Sequence, residues 1–129
     1  AATLGGTAVF APYDSASLGV YHPEEQTLVL VPLPGKLKCA GRCFAGVASF
    51  GDVAVLAPWN ADSVGVYDPV KRELRLVAVP EELAGLGSKF AGAAPVGDVA
   101  VFSPHEAAHV GVYRLGDSSM ELTAVPAAL

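Results

Sequence analysis

Apolar residues in this chain gather in short β-type runs and show no helical period. In the middle of the sequence the runs are Phe44 to Phe50, Val53 to Ala57, Val64 to Tyr67 and Leu74 to Val79, each ended by turn formers. Gly51-Asp52 predicts a tight hairpin between the first two, and Gly97-Asp98 repeats it further on. Asp68-Pro69 opens the turn between the last two, with proline setting φ at the second turn position. Four consecutive strands on tight turns predict an antiparallel meander. Pro80-Glu81-Glu82-Leu83 is the one stretch that predicts a short helical turn.

The same wording occurs three times along the chain. Pro12, Pro58 and Pro104 are equally spaced, as are Gly19, Gly65 and Gly111, Leu30, Leu76 and Leu122, and Pro34, Pro80 and Pro126. The step is about 46 residues, without insertion or deletion, within the 20–50 range typical of repeat architectures. Gly-Val-Tyr recurs at Gly19-Val20-Tyr21, Gly65-Val66-Tyr67 and Gly111-Val112-Tyr113. The glycines predict close packing or a bulge in the third strand of each unit, and the tyrosines predict core fillers whose hydroxyls need partners.

Three four-stranded units fit two architectures, a β-trefoil, favoured by size, and blades of a β-propeller, which closes with four or more. Leu28-Val29-Leu30-Val31 and Val53-Ala54-Val55-Leu56-Ala57 are unbroken apolar runs, as in sheets covered on both faces. That pattern favours blades. The units "KFAGAAPVGDVAVFSP", "VGVYRL" and "VGVYDP" resemble NHL, YVTN and kelch-like propeller repeats, and most closely propeller repeats of unicellular algae and other protists. The resemblance covers nearly the whole chain and implies an all-β fold of one repeat domain, with blades at 1–37, 44–83 and 90–129. In register Ala1-Ala2-Thr3-Leu4-Gly5 matches Val47-Ala48-Ser49-Phe50-Gly51, halfway along a first strand. The expectation is therefore a segment of a longer propeller, with apolar blade ends covered by further blades or a protein partner.

Composition narrows the function classes. The chain has 129 residues, 52 % of them hydrophobic and 16 % charged, a net charge of −5 and a mean hydropathy of +0.44. A core of that size needs no disulfide. Eight scattered Lys and Arg give phosphate backbones little to hold, so nucleic acid is not an expected partner. Gly, Pro or a charge breaks every apolar run well short of the roughly 18–20 residues of a membrane span. The chain starts Ala1-Ala2 without a basic, apolar leader, which leads to the expectation of a processed or partial sequence.

Candidate chemistry lies after the repeated proline, where Tyr13-Asp14, Trp59-Asn60 and His105-Glu106 replace one another. By resemblance these fall on one rim with Lys36, Lys38, Arg42 and Lys89 of the inter-blade loops. An aromatic beside a polar group suits a sugar, peptide or protein ligand. The plainer reading has Asp14 and Asn60 closing Asx turns and the ring capping the core. Asp14, Asn60 and Glu106 also carry oxygen atoms suited to calcium, though no break in the repeat marks a dedicated metal site, and no cofactor is expected. Cys39 and Cys43, with three residues between them, match neither a redox nor a zinc spacing. They read as two thiols, with a local disulfide as the alternative. His22, His105 and His109 read as loop residues. No nucleophile elbow or phosphate loop occurs.

The expected function is a non-catalytic propeller segment, a scaffold or protein-interaction module. The resemblance implies an accessory subunit of a larger assembly, peripheral to an organelle membrane complex. The rivals are a metal-dependent six-bladed-type hydrolase or lyase fragment and a carbohydrate-binding trefoil.

Overall fold

The computed structural model describes residues 1–37, 39 and 41–126. The described residues form three four-stranded antiparallel sheets, each with its strands hydrogen-bonded in chain order. The first holds β1 (Ala2–Leu4), β2 (Thr7–Phe10), β3 (Ser17–His22) and β4 (Thr27–Pro32). The second holds β5 (Phe44–Phe50), β6 (Val53–Pro58), β7 (Ser63–Asp68) and β8 (Glu73–Ala78). After one 3-10 turn at Glu81–Leu83, the third holds β9 (Phe90–Val96), β10 (Val99–Pro104), β11 (His109–Arg114) and β12 (Ser119–Ala124). His22 and His109 thus end and begin strands, correcting the loop assignment. No helix among the described residues is long and apolar enough to cross a membrane.

The turns repeat in geometry as well as in position. Gly5, Gly51 and Gly97 take φ of +61°, +47° and +58° at the first hairpin of each sheet, a left-handed conformation that glycine adopts without steric cost. At the β3–β4, β7–β8 and β11–β12 turns the left-handed residues are Gln26, Arg72 and Ser118, with φ near +55°. At two of these turns an aspartate side chain supports the backbone: Asp68 Oδ1, before its turn, accepts from the Val70 and Lys71 amides at 2.9 and 3.2 Å, and Asp117, within its turn, accepts from the Ser119 amide at 3.2 Å.

The sheets stack face to back. β1 packs against β5, and β5 against β9, so the first strands of the three sheets lie side by side. Leu56, Ala54 and Tyr67 of the second sheet turn to Val9, Leu18 and Val20 of the first. On its other face Val55, Val64 and Val66 meet Phe90, Phe102 and Tyr113 of the third. Only the middle sheet is covered on both sides, which explains its unbroken apolar strands. The Leu28–Val31 run departs from expectation: Leu28 and Leu30 are 56 % and 60 % exposed, because no described sheet packs on their face of the first sheet, whereas their repeat-mates Leu74, Leu76, Met120 and Leu122 pack against the core.

Two bulges fix how the first strands meet. β5 skips Ala45 in pairing with β6, and β9 skips Ala91 in pairing with β10. Beside each bulge sits a glycine. A Cβ on Gly46 would lie 2.7 Å from Gly92 Cα and 2.8 Å from Ala93 N, so two backbones touch where no side chain fits. Gly65 and Gly111 do not sit in bulges. They make room for Leu56 and for Phe90, Phe102 and Met120 respectively.

Gly46→Ala should therefore destabilise the chain by about 2–3 kcal/mol through overpacking against immovable backbone. Gly116→Ala, with nothing within 4 Å of the new Cβ, should stay within about 0.5 kcal/mol. Urea unfolding of both variants checks the contrast.

Candidate functional site: a three-ring rim

One rim is stitched by a backbone pattern that repeats between neighbouring sheets. The Cys43 amide donates to Tyr13 O at 3.1 Å, and Cys43 O accepts from the Trp59 and Ala61 amides at 2.9 and 3.2 Å. One repeat later the Lys89 amide donates to Trp59 O at 2.9 Å, and Lys89 O accepts from the His105 and Ala107 amides at 2.9 and 3.3 Å. These bonds satisfy backbone groups that would otherwise lose their water as the loops pack. They also set the spacing of the loops after β2, β6 and β10.

Equal spacing brings the three varied rings into a row. Tyr13 and Trp59 meet edge to face with centroids 5.8 Å apart, and Trp59 and His105 lie 4.5 Å apart at a 47° tilt. The Arg42 guanidinium sits 5.8 Å from the Tyr13 ring centre, with Nε 3.7 Å from Asp14 Oδ1. At the other end Glu106 Oε1 lies 3.8 Å from His105 Nδ1. Both contacts are largely exposed, and the Arg42–Asp14 ion pair contributes at most about 1 kcal/mol. The row is a mixed aromatic and charged strip.

Asn60 has a different job from either reading of the sequence. Its Oδ1 accepts from the Ser88 amide at 2.9 Å and its Nδ2 donates to Gly41 O at 3.2 Å. The side chain closes no Asx turn of its own. It ties the two inter-sheet loops together and leaves little free for a ligand. Asp14 faces Arg42 and Glu106 faces His105, and nowhere among the described residues do three His, Cys, Asp or Glu side chains gather to hold a metal.

Of the inter-sheet cations, Arg42 and Lys36 are exposed, and Lys38 lies outside the described residues. Lys89 points inward and is fully buried, correcting its assignment to the rim surface. Its Nζ lies 3.5 Å from Asp62 Oδ1 without an aligned hydrogen bond. Burial pushes the Lys89 ammonium below the usual lysine range, and the Asp62 charge and contact oppose that shift. Asp62 also accepts from the Gly85 amide at 3.1 Å. Sequence reasoning passed over this pair, although both members break the repeat: Asp62 replaces Ala16 and Ala108, and Lys89 replaces Cys43.

Cys43, at the position matching Lys89, is joined to Cys39 by a disulfide, with Cα atoms 5.6 Å apart. This corrects the reading of two thiols. Closing so short a loop contributes about 2 kcal/mol in the chain-entropy account. Each stitching residue is thus anchored by its side chain, one covalently and one by a buried charge pair.

At the opposite rim a cavity of about 150 Å³ opens between the first two sheets, beside Leu4, Val20, Tyr67 and Arg72. Burial raises the Tyr67 phenol above its usual pKa, with Arg72 pulling it down and Asp68 pushing it up, so it carries no activated oxygen at neutral pH. Tyr113 Oη is buried without a hydrogen-bond partner, contrary to the expectation that each repeated tyrosine finds one.

No protein-family model matches the chain, and no curated protein sequence matches it. Among solved structures, Kuenenia stuttgartiensis hydrazine synthase superposes with a TM-score of 0.69 at 15 % identity, over 94 % of this chain. The likeness is one of fold alone. The chain spans about a third, 33 %, of that protein's chain.

Removing Asp62 leaves the Lys89 charge buried and unpaired. Asp62→Ala should cost about 3 kcal/mol, the low end for a broken buried pair because Asp62 is partly solvated, whereas Lys89→Met should be neutral or stabilising. The unfolded chain holds the Lys89 proton more tightly than the folded one. The cost is therefore full below the folded pKa and fades as pH rises toward the ordinary value of 10.5. Wild type should gain stability relative to Lys89→Met as pH rises toward 10.5, as measured by urea unfolding across a pH series.

Proposed function

We propose that the chain is a run of three β-propeller blades serving as a non-catalytic interaction module, with the Tyr13–Trp59–His105 row as its contact for a protein partner. The propeller reading is supported by three separate meanders whose first strands pack side by side. A trefoil would instead hydrogen-bond strands of different repeats into one barrel. The row itself carries the functional reading: three different side chains at one repeat position, held in register by the backbone and flanked by Arg42, Asp14 and Glu106. Rigid aromatic rings beside an arginine are the composition of interface hot spots.

The metal-dependent hydrolase reading draws less support, since Asn60 is committed to Gly41 and Ser88 and Asp14 to Arg42. In this proposal the module works within a larger assembly, where the rim meets another subunit.

Trp59 is the only tryptophan, so its fluorescence reports the rim directly. With the chain immobilised as bait, a retained partner should shift Trp59 emission. Trp59→Ala should weaken retention at least tenfold while the melting temperature stays within about 3 °C, as for a contact residue outside the core. A wild-type bait that retains no partner, or retention unaffected by both Trp59→Ala and His105→Ala, refutes the reading.

A further inference from the structure

The two joints between neighbouring sheets close the same short loop by different chemistry. Position for position, Cys39 and Cys43 of the first joint are the repeat-mates of Gly85 and Lys89 in the second. In the second, Asp62 bridges the pair: its Oδ1 lies 3.5 Å from Lys89 Nζ and accepts from the Gly85 amide at 3.1 Å. In the first, Ala16 stands in place of Asp62, and the Cys39–Cys43 disulfide spans the same two positions. Both joints hold this loop, and one holds it by a bond that electrons can open.

What the disulfide holds is the stretch of chain that seats the aromatic row. Gly41 O accepts from Asn60 Nδ2 at 3.2 Å and Arg42 O from the Asn60 amide at 3.0 Å, while Cys43 bonds Tyr13 on one side and Trp59 and Ala61 on the other. Arg42 also brings its guanidinium to the Tyr13 ring. Its φ of +52° is left-handed, as is the +53° of its repeat-mate Ser88. A residue with a Cβ keeps that conformation only while its surroundings fix it.

The bridge is also within reach of a reagent. Both cysteines line a surface cleft of about 270 Å³ together with Asp14, Ser15, Leu33 and Pro34. Cys39 is half-buried, whereas Cys43 is only 5 % exposed.

Resting on the reading of the row as a contact surface, we propose that the Cys39–Cys43 disulfide is a redox latch on the rim, which a dithiol reductant opens to release Tyr13 from the row. A thiolate of the dithiol attacks Cys39 Sγ, the more open sulfur, and Cys43 leaves as a thiolate that takes up a proton. The second thiol of the reductant then attacks the mixed disulfide, freeing Cys39 and closing the reductant's own disulfide. Two electrons and two protons pass from the dithiol to the two cysteines. Arg42 then relaxes out of the left-handed region, and the Tyr13 end of the row loosens. The Trp59–His105 end keeps its Lys89 stitch. The sheets stay folded, because Cys43 remains in the buried cluster as an apolar thiol.

Amide hydrogen exchange on the 129-residue chain, with and without millimolar dithiothreitol, reads the latch without any partner. On reduction the Cys43, Trp59 and Ala61 amides should exchange at least tenfold faster, the Lys89 and His105 amides should hold within twofold, and reoxidation should restore the original rates. Cys39→Ser should show the open pattern without reductant. Two free thiols after air oxidation, a bridge that resists the dithiol in the folded chain, first-joint exchange unchanged within twofold, or protection lost across all three sheets together overturns the latch. Partner retention separates the two readings: an oxidised bait that retains no partner refutes the contact surface, while the exchange rates still decide the latch.

Discussion

The backbone contact between Gly46 and Gly92 is the constraint on which the other features hang. The first strands of the second and third sheets can lie against each other only because Gly46 has no Cβ to strike the Gly92–Ala93 backbone, and each strand carries a bulge, at Ala45 and Ala91, beside that crossing. With the first strands together, each sheet presents one face to its neighbour on either side. The Leu56 face of the second sheet then meets the first, and its Val55 face meets the third. The core is thus two slabs, each made by an unlike pair of faces.

The same approach sets the rim. Once the first strands are side by side, the segments entering them lie beside the loops of the preceding sheet, where Cys43 and Lys89 complete equivalent sets of backbone hydrogen bonds. Those bonds leave the ring position of each loop no freedom to drift, which is why Tyr13, Trp59 and His105 form a row. The backbone scheme is common to both joints and the anchoring chemistry differs. A disulfide holds Cys43, while a buried lysine facing a half-solvated aspartate holds Lys89. A covalent ring constrains without desolvating a charge, whereas the lysine depends on its partner for compensation.

Much of the fold was legible because repetition and turn chemistry are local. The strands of the middle unit, the Gly-Asp hairpins, the Asp68-Pro69 turn and the short helical turn before Leu83 all follow from neighbours a few residues apart. The rim positions were legible for a related reason: a framework that repeats while one pair varies points to that pair. Less legible were partners chosen across a repeat. Asn60 reaches Gly41 and Ser88, and Lys89 reaches Asp62. Local rules offered Asn60 its own turn and Lys89 a place on the rim, and packing between sheets overrode both. The Cys39–Cys43 disulfide is local, but cysteine spacing alone did not choose between two thiols and a bridge.

By itself the sequence determined the all-β character, the repeat, the four strands of each unit and their order, since alternation, turn residues and chain connectivity act over short range. Which face of each sheet is buried, which apolar strand stays exposed and which charge is taken out of water were decided only when the sheets packed. Leu30, Leu76 and Leu122 read alike in the sequence, yet only Leu30 faces water. Burial belongs to the neighbour across the interface, and that neighbour is a property of the tertiary structure.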